Sequence, residues 1–225
     1  TGRQLELFRA VAATGKKIVS VVFGGRPVYD REVWERSSAV LFAWNPGCGG
    51  GQGVADILSG AVSPSARLSM SFPRSLAQSP VYYNVPVTGR PGMGNYTDVA
   101  ESGPVHPFGF GLTFSKFEYG PVAIRDNAAI CEIANVGERE ATEVVQLYVR
   151  QHACEEGYRP CRELRGFERV SLAPGANREV RFELTERTLG YTDRTGRDRC
   201  DPGRYSVWIA PDAASGTPAA YVFAK

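Results

Sequence analysis

Residues Trp44–Pro73 read WNPGCGGGQGVADILSGAVSPSARLSMSFP, and the order of their parts decides the fold of the first half. The segment takes over from an apolar strand, AVLFAW (Ala39–Trp44), turns through a glycine cluster, enters a helix at VADILSG and predicts a second strand in ARLSMSFP. Upstream, IVSVVF (Ile18–Phe23) is a nearly continuous β-branched run of the kind found in strands covered on both faces, ended by Gly24, Gly25 and Pro27. Before it, LELFRAVAATG places Leu5, Phe8, Val11 and Ala12 at the spacing of one helical stripe, with Gly15 where a C-cap would stand.

Strand, helix, strand in this order implies parallel pairing through right-handed crossovers, so the loops after both strands open on one edge of the sheet. Ligands of such sheets bind at that edge. The loops are Gly24–Val28 and Asn45–Gly53, which makes Arg26, Trp44 and Asn45 the candidate ligand-facing residues. The alternative is that Arg26 pairs with a nearby carboxylate while Trp44 and Asn45 shape the turn.

The cluster PGCGGGQG invites a phosphate-loop reading, because backbone N–H groups at a helix start bind anions. Its spacing argues against one. Counting from Gly47, the sixth place of a dinucleotide fingerprint is Gln52, and no Gly-Lys-Ser/Thr follows. The glycines are expected to let the helix pack closely on its strand. Cys48 at that helix start is a nucleophile candidate, but His106 and His152, the two histidines, lie far along the chain, which disfavours a thiol enzyme.

Charge excludes one class of partner. Twenty-six Lys and Arg against 24 Asp and Glu leave a net charge of +2 with no basic block, so nucleic acid is not expected. No run of eighteen apolar residues predicts a membrane span, and no secretory leader is read at the start of the sequence, Thr1. Five cysteines cannot all pair internally. Cys154 and Cys161 flank CEEGYRPC and are the candidate disulfide, whereas Cys131 alternates with Ile133 and reads as a small buried hydrophobe.

From Tyr119 the period becomes two. Val180, Phe182 and Leu184 alternate with Glu179, Arg181 and Glu183, as in a strand with one wet and one dry face. TEVVQLYVR and RYSVWIA read likewise, and ANVGERE, LAPGAN and CDPGR supply the turns. About seven short strands predict a β-sandwich of immunoglobulin or fibronectin type III kind. Trp208 alternates with Val207 and Ile209 and is expected in the sheet rather than on a sugar platform.

The opening segment, together with KKIVSVVFGGRP, ARLSMSFPRS, VYYNVPVTGRP and HPFGFGLTFSKFEY, resembles the second domain of glycoside hydrolase family 3 and its exit, in the periplasmic β-glucosidase branch. ANVGEREATEVVQLYV followed by RELRGFERVSLAPG resembles the fibronectin type III-like domain that follows it in many members. The resemblance implies α/β followed by all-β: a partial α/β sandwich domain over residues 1–95, a linker and domain exit over 96–118, and a β-sandwich over 119–225. It also implies a retaining β-glycosidase, β-glucosidase or β-xylosidase in type, exported to the periplasm or secreted, acting on an oligosaccharide or aryl β-glycoside without cofactor or metal.

Retention needs two carboxyl groups about 5–5.5 Å apart. By the resemblance, the nucleophilic aspartate belongs to an N-terminal barrel and the acid/base glutamate to a loop before the first helix, so neither is expected in this chain. Asp30, Glu32, Glu35 and Asp56 read as helix-surface charges. MGNYTDVAESGP (Met93–Pro104) lacks the arginine that relatives often place there. With only two or three strands before Pro73, the sheet is expected to be completed by the missing N-terminal part or by a second chain. The alternative is a non-catalytic scaffold or carbohydrate-binding module that reuses these domains.

Overall fold

A computed structural model describes residues 2–86, 103–155 and 158–224 of the 225-residue chain. Residues 93–102 of the MGNYTDVAESGP stretch therefore lie outside the described residues. The described chain forms two compact units. The first holds residues 2–62, Phe72–Val81 and Gly103–Val105; the second holds Ser63–Ser71, 82–86, 106–155 and 158–224.

The first unit is α1 (Gln4–Ala12), β1 (Val19–Phe23), α2 (Arg31–Arg36), β2 (Ala39–Trp44) and α3 (Gly50–Ser59). β1 and β2 pair in parallel, Val19 opposite Ala39. Asp30 starts α2: its carboxylate accepts from the Val33 N–H at 3.1 Å, satisfying one of the donors that a helix start leaves open. Asp30→Ala should therefore cost this unit about 1 kcal/mol, and Asp30→Asn much less; urea unfolding of the two variants checks it. α1 is tied to α2 by Arg9, whose guanidinium meets Glu32 at 2.8 Å, and α3 ends at Gly60 in the left-handed conformation with φ 77°.

Leu5, Phe8 and Ala12 share a half-buried stripe of α1, but Val11, expected with them, is exposed. Among the described residues β1 pairs only with β2, and Val19 and Phe23 on it are 50% and 60% exposed.

The second strand expected in ARLSMSFP does not form. Leu68 instead donates to the Phe110 carbonyl and accepts from the Gly109 N–H, both at 2.8 Å, so residues 63–71 belong to the second unit. The glycine cluster also differs from expectation. Only at Gly50 would a side chain meet close packing, its Cβ falling 2.7 Å from Pro46 Cβ; Gly49, Gly51 and Gly53 are exposed with open space around them.

The second unit is a β-sandwich. One sheet joins β3 (Phe117–Tyr119) and β4 (Ala123–Arg125) to one side of β5 (Ala128–Asn135) and β8 (Asn177–Glu183) to the other. The facing sheet has the order β12 (Ala219–Phe223), β11 (Gly203–Ala210), β6 (Ala141–Gln151), β7 (Glu163–Leu172). A short helix, α4 (Glu186–Leu189), and a hairpin of β9 (Tyr191–Thr192) and β10 (Asp198–Arg199) complete it. Alternation works as the sequence predicts: Val145, Leu147 and Val149 of β6, Val180 of β8 and Val207 and Ile209 of β11 fill one core. Cys131 is 1% exposed in that core, and burial pushes its thiol up to about 11. Trp208 lies in the sheet beneath the Arg162 guanidinium, 4.3 Å from the ring centroid.

Both faces of β6 carry buried polar groups, Glu143 on the side of Val145 and Gln146 on the opposite side. Glu143, with its side chain 6% exposed, accepts from Arg67 at 2.6 Å and from the Val144 N–H at 2.9 Å. Tyr119 is half-buried, with its hydroxyl enclosed and without a hydrogen-bond partner; burial first and the Glu143 charge second push its pKa upward. Gln146 donates to the carbonyls of Gly109 and Pro211 and accepts from the Tyr148 hydroxyl at 2.6 Å. Tyr83 stacks on Phe108 and takes the Leu164 N–H on its hydroxyl, strapping residues 82–83 to the same sheet.

No disulfide is drawn between Cys154 and Cys161 in this structure. Near them, the Glu155 N–H donates to Asp201 and the Cys161 N–H donates to the Val85 carbonyl.

Candidate functional site

The parallel pair β1–β2 delivers Gly24–Val28 and Asn45–Gly53 to one edge, as the crossover rule requires. The edge is shaped by a bulge. Val22 faces Phe42 but Phe23 faces Trp44, so Ala43 is the extra residue that re-aims the strand end. Trp44 then takes φ 53°, a conformation that a bulky side chain seldom adopts and that the surrounding contacts must hold in place. Its carbonyl accepts from the Gly24 N–H at 3.2 Å, and its ring meets Phe42 and Phe72 edge-on at centroid distances of 4.7 and 5.9 Å.

This geometry turns Asn45 across the edge. A Cβ on Gly25 would lie 3.2 Å from Asn45 Nδ2, so the two loops touch through an exposed side-chain amide over a bare backbone. Arg26, the next residue, is exposed. Gly25, Arg26 and Asn45 together form a small donor-rich rim, with the Trp44 ring as its aromatic support. Arg26, Trp44 and Asn45 lie at the ends of β1 and β2, where the sequence puts them, whereas Phe72 and the bulge were not read; the signal for Phe72 was its place in the Ser-Phe-Pro motif after α3.

The rim has no carboxylate to offer. Residues 2–62 contain five acidic side chains, and each is engaged. Glu6 meets Arg3, Asp30 caps α2, Glu32 holds Arg9 and Arg36, Glu35 holds Arg31, and Asp56 accepts from Gln52. The hydrogen bond from Arg9 is the main reason the Glu32 carboxyl titrates below its ordinary range. Among the described residues no cluster of His, Cys, Asp and Glu could hold a metal ion, and no helix is long and apolar enough to cross a membrane. The edge thus presents the amide of Asn45 and the guanidinium of Arg26 to solvent, and each of the five carboxylates of residues 2–62 has a partner elsewhere.

Similarity to known proteins covers both units. Residues 1–114 match the glycosyl hydrolase family 3 C-terminal domain and residues 143–213 the fibronectin type III-like domain. The chain is 36% identical over 227 aligned residues to a periplasmic beta-glucosidase of Salmonella typhimurium, covering 94% of this chain and 29% of that protein. It is 34% identical to a beta-xylosidase of Formosa agariphila, covering 92% and 30%. A solved b-glucosidase from Erythrobacter marinus superposes with a TM-score of 0.92 at 35% identity, over 99% of this chain and 30% of that one. The chain thus spans about 30% of the length of these relatives. An α/β unit with a donor-rich strand edge, followed by a fibronectin-type sandwich and matched over its first 114 residues by the family's own C-terminal domain, belongs to glycosyl hydrolase family 3.

Proposed function

We propose that this chain is the C-terminal portion of an exported retaining β-glycosidase and that its β1–β2 edge is one wall of the sugar site, with Arg26 and Asn45 as hydroxyl-binding groups and Trp44 as their support. One observation carries the reading: similarity over nine-tenths of the chain runs to a β-glucosidase and a β-xylosidase alike. The structural employment of all five acidic side chains in residues 2–62 supports a division of labour, in which the nucleophile and the acid/base belong to the remaining part of the enzyme. That part, or a second chain, also supplies the strand that covers Val19 and Phe23 on the open side of β1. The substrate is a terminal β-linked sugar of an oligosaccharide or an aryl β-glycoside.

The experiment is an assay with chromogenic aryl β-glucoside and β-xyloside. The chain alone should give no turnover above buffer, and the chain joined to the rest of its reading frame should hydrolyse at least one of the two. In that whole enzyme, Arg26→Ala and Asn45→Ala should each lower kcat/KM roughly ten- to a hundredfold, the loss expected for one or two hydrogen bonds to a bound sugar. Turnover by the isolated chain, or rim variants as active as the parent, would refute the proposal.

A further inference from the structure

The sandwich carries a groove that the glycosidase reading leaves unused. It opens between Glu155 and residues 158–163, helix α4 and the β9–β10 hairpin, and its volume of about 1090 Å³ stands just above the roughly 300–1,000 Å³ range of small-molecule sites. Every residue that lines it belongs to the second unit.

The floor is built and rigid. Arg159, with its side chain 5% exposed, donates to Glu163 at 2.8 Å, to Gln151 Oε1 at 2.9 Å and to the Leu189 carbonyl at 3.3 Å. Its guanidinium lies 4.9 Å from the centroid of the Tyr191 ring, and the Tyr191 hydroxyl donates to Asp201 at 2.7 Å. Gly190 lets α4 come this close to β10: a Cβ there would fall 2.5 Å from the Glu186 carbonyl oxygen and 2.6 Å from that of Arg199.

The rim is the opposite. Tyr158 is 86% exposed, and the side chains of Tyr158, Glu186, Arg187 and Arg194 are all exposed and make no hydrogen bond or ion pair among the described residues. An ordered polar floor under an unengaged rim of tyrosine, carboxylate and guanidinium has the build of a preorganised receptor.

Charge identifies the kind of ligand. Among the described residues the lining carries six carboxylates and five guanidinium groups, interspersed, so an ionic ligand would meet like and opposite charges in nearly equal number. A neutral polyol does not have this problem. Its vicinal hydroxyls accept from a guanidinium fork and donate to a carboxylate, while tyrosine rings cover its C–H faces. We infer that the groove is a second, non-catalytic glycan site that takes a short neutral oligosaccharide.

The test is direct binding, so it does not depend on hydrolysis and leaves the proposed activity untouched if it fails. Cellohexaose and xylohexaose are titrated into the 225-residue chain by calorimetry. At least one should bind saturably, with an affinity nearly unchanged between about 50 and 500 mM NaCl, since no net charge is being screened. Tyr158→Ala/Arg187→Ala should weaken that binding at least tenfold while its thermal unfolding matches the parent. Arg26→Ala/Asn45→Ala, in the other unit, should leave it unchanged. No saturable binding up to about 10 mM, binding lost through the Arg26 and Asn45 pair instead of the groove pair, or a steep salt dependence with preference for oligogalacturonides would each overturn the assignment.

Discussion

Glu143→Ala should destabilise the sandwich by about 3–5 kcal/mol, the range for removing one partner of a buried ion pair. The pair is taken out of water on both sides, with Arg67 and Glu143 side chains 7% and 6% exposed and their charged atoms 2.6 Å apart. Truncation leaves the guanidinium stranded among protein atoms, with Arg67 Nε already lacking an acceptor. The damage therefore comes less from losing an attraction than from keeping a charge that has nothing to neutralise it. A second variant separates these causes. Arg67→Met/Glu143→Leu removes both charges, conserves most of the volume, and should recover most of the loss. Urea unfolding followed by circular dichroism measures both. A single-variant loss under about 1 kcal/mol would show that water reaches the pair and that its burial is not as described.

Gly109→Ala should cost at least ~3 kcal/mol, because two penalties coincide. Gly109 has φ 83°, and an L side chain in the left-handed region costs about 1–2 kcal/mol. The added Cβ would also lie 2.7 Å from the Tyr148 hydroxyl oxygen, 3.0 Å from Gln146 Cδ and in closer overlap with Gln146 Oε1. Both side chains are buried and already committed to each other, so neither can retreat without breaking a hydrogen bond. Gly175→Ala is the internal control: φ is 76°, yet nothing lies within 4 Å of its would-be Cβ. It should show the conformational part alone, and the difference between the two variants isolates the packing part. Equal losses at the two positions would mean that the Gln146–Tyr148 network gives way freely.

The second unit was readable from the sequence because its strands have one dry face. Val145, Leu147 and Val149 announce β6, and the structure adds only the pairing order. The first unit was readable where a continuous apolar run meets a turn, at β1 and β2. It was misread at ARLSMSFP, which has the composition of a strand but finds its hydrogen bonds at Gly109 and Phe110. Local composition says that a backbone is extended; it does not say which partner satisfies it. The same limit explains the rim. Arg26, Trp44 and Asn45 follow from topology, whereas the bulge at Ala43 and the turn of Trp44 follow from a register that no periodicity encodes.

The placement of the three tryptophans gives the molecule two built-in optical channels. Trp34, edge-on to Tyr29 at 5.5 Å, and Trp44, in its aromatic group with Phe42 and Phe72, belong to the first unit; Trp208, beneath a guanidinium, belongs to the second. Trp208→Phe leaves an emission spectrum that comes only from the α/β unit, and Trp34→Phe/Trp44→Phe leaves one that comes only from the sandwich. Loss of structure in either half can then be followed by its own colour and lifetime, without cutting the chain.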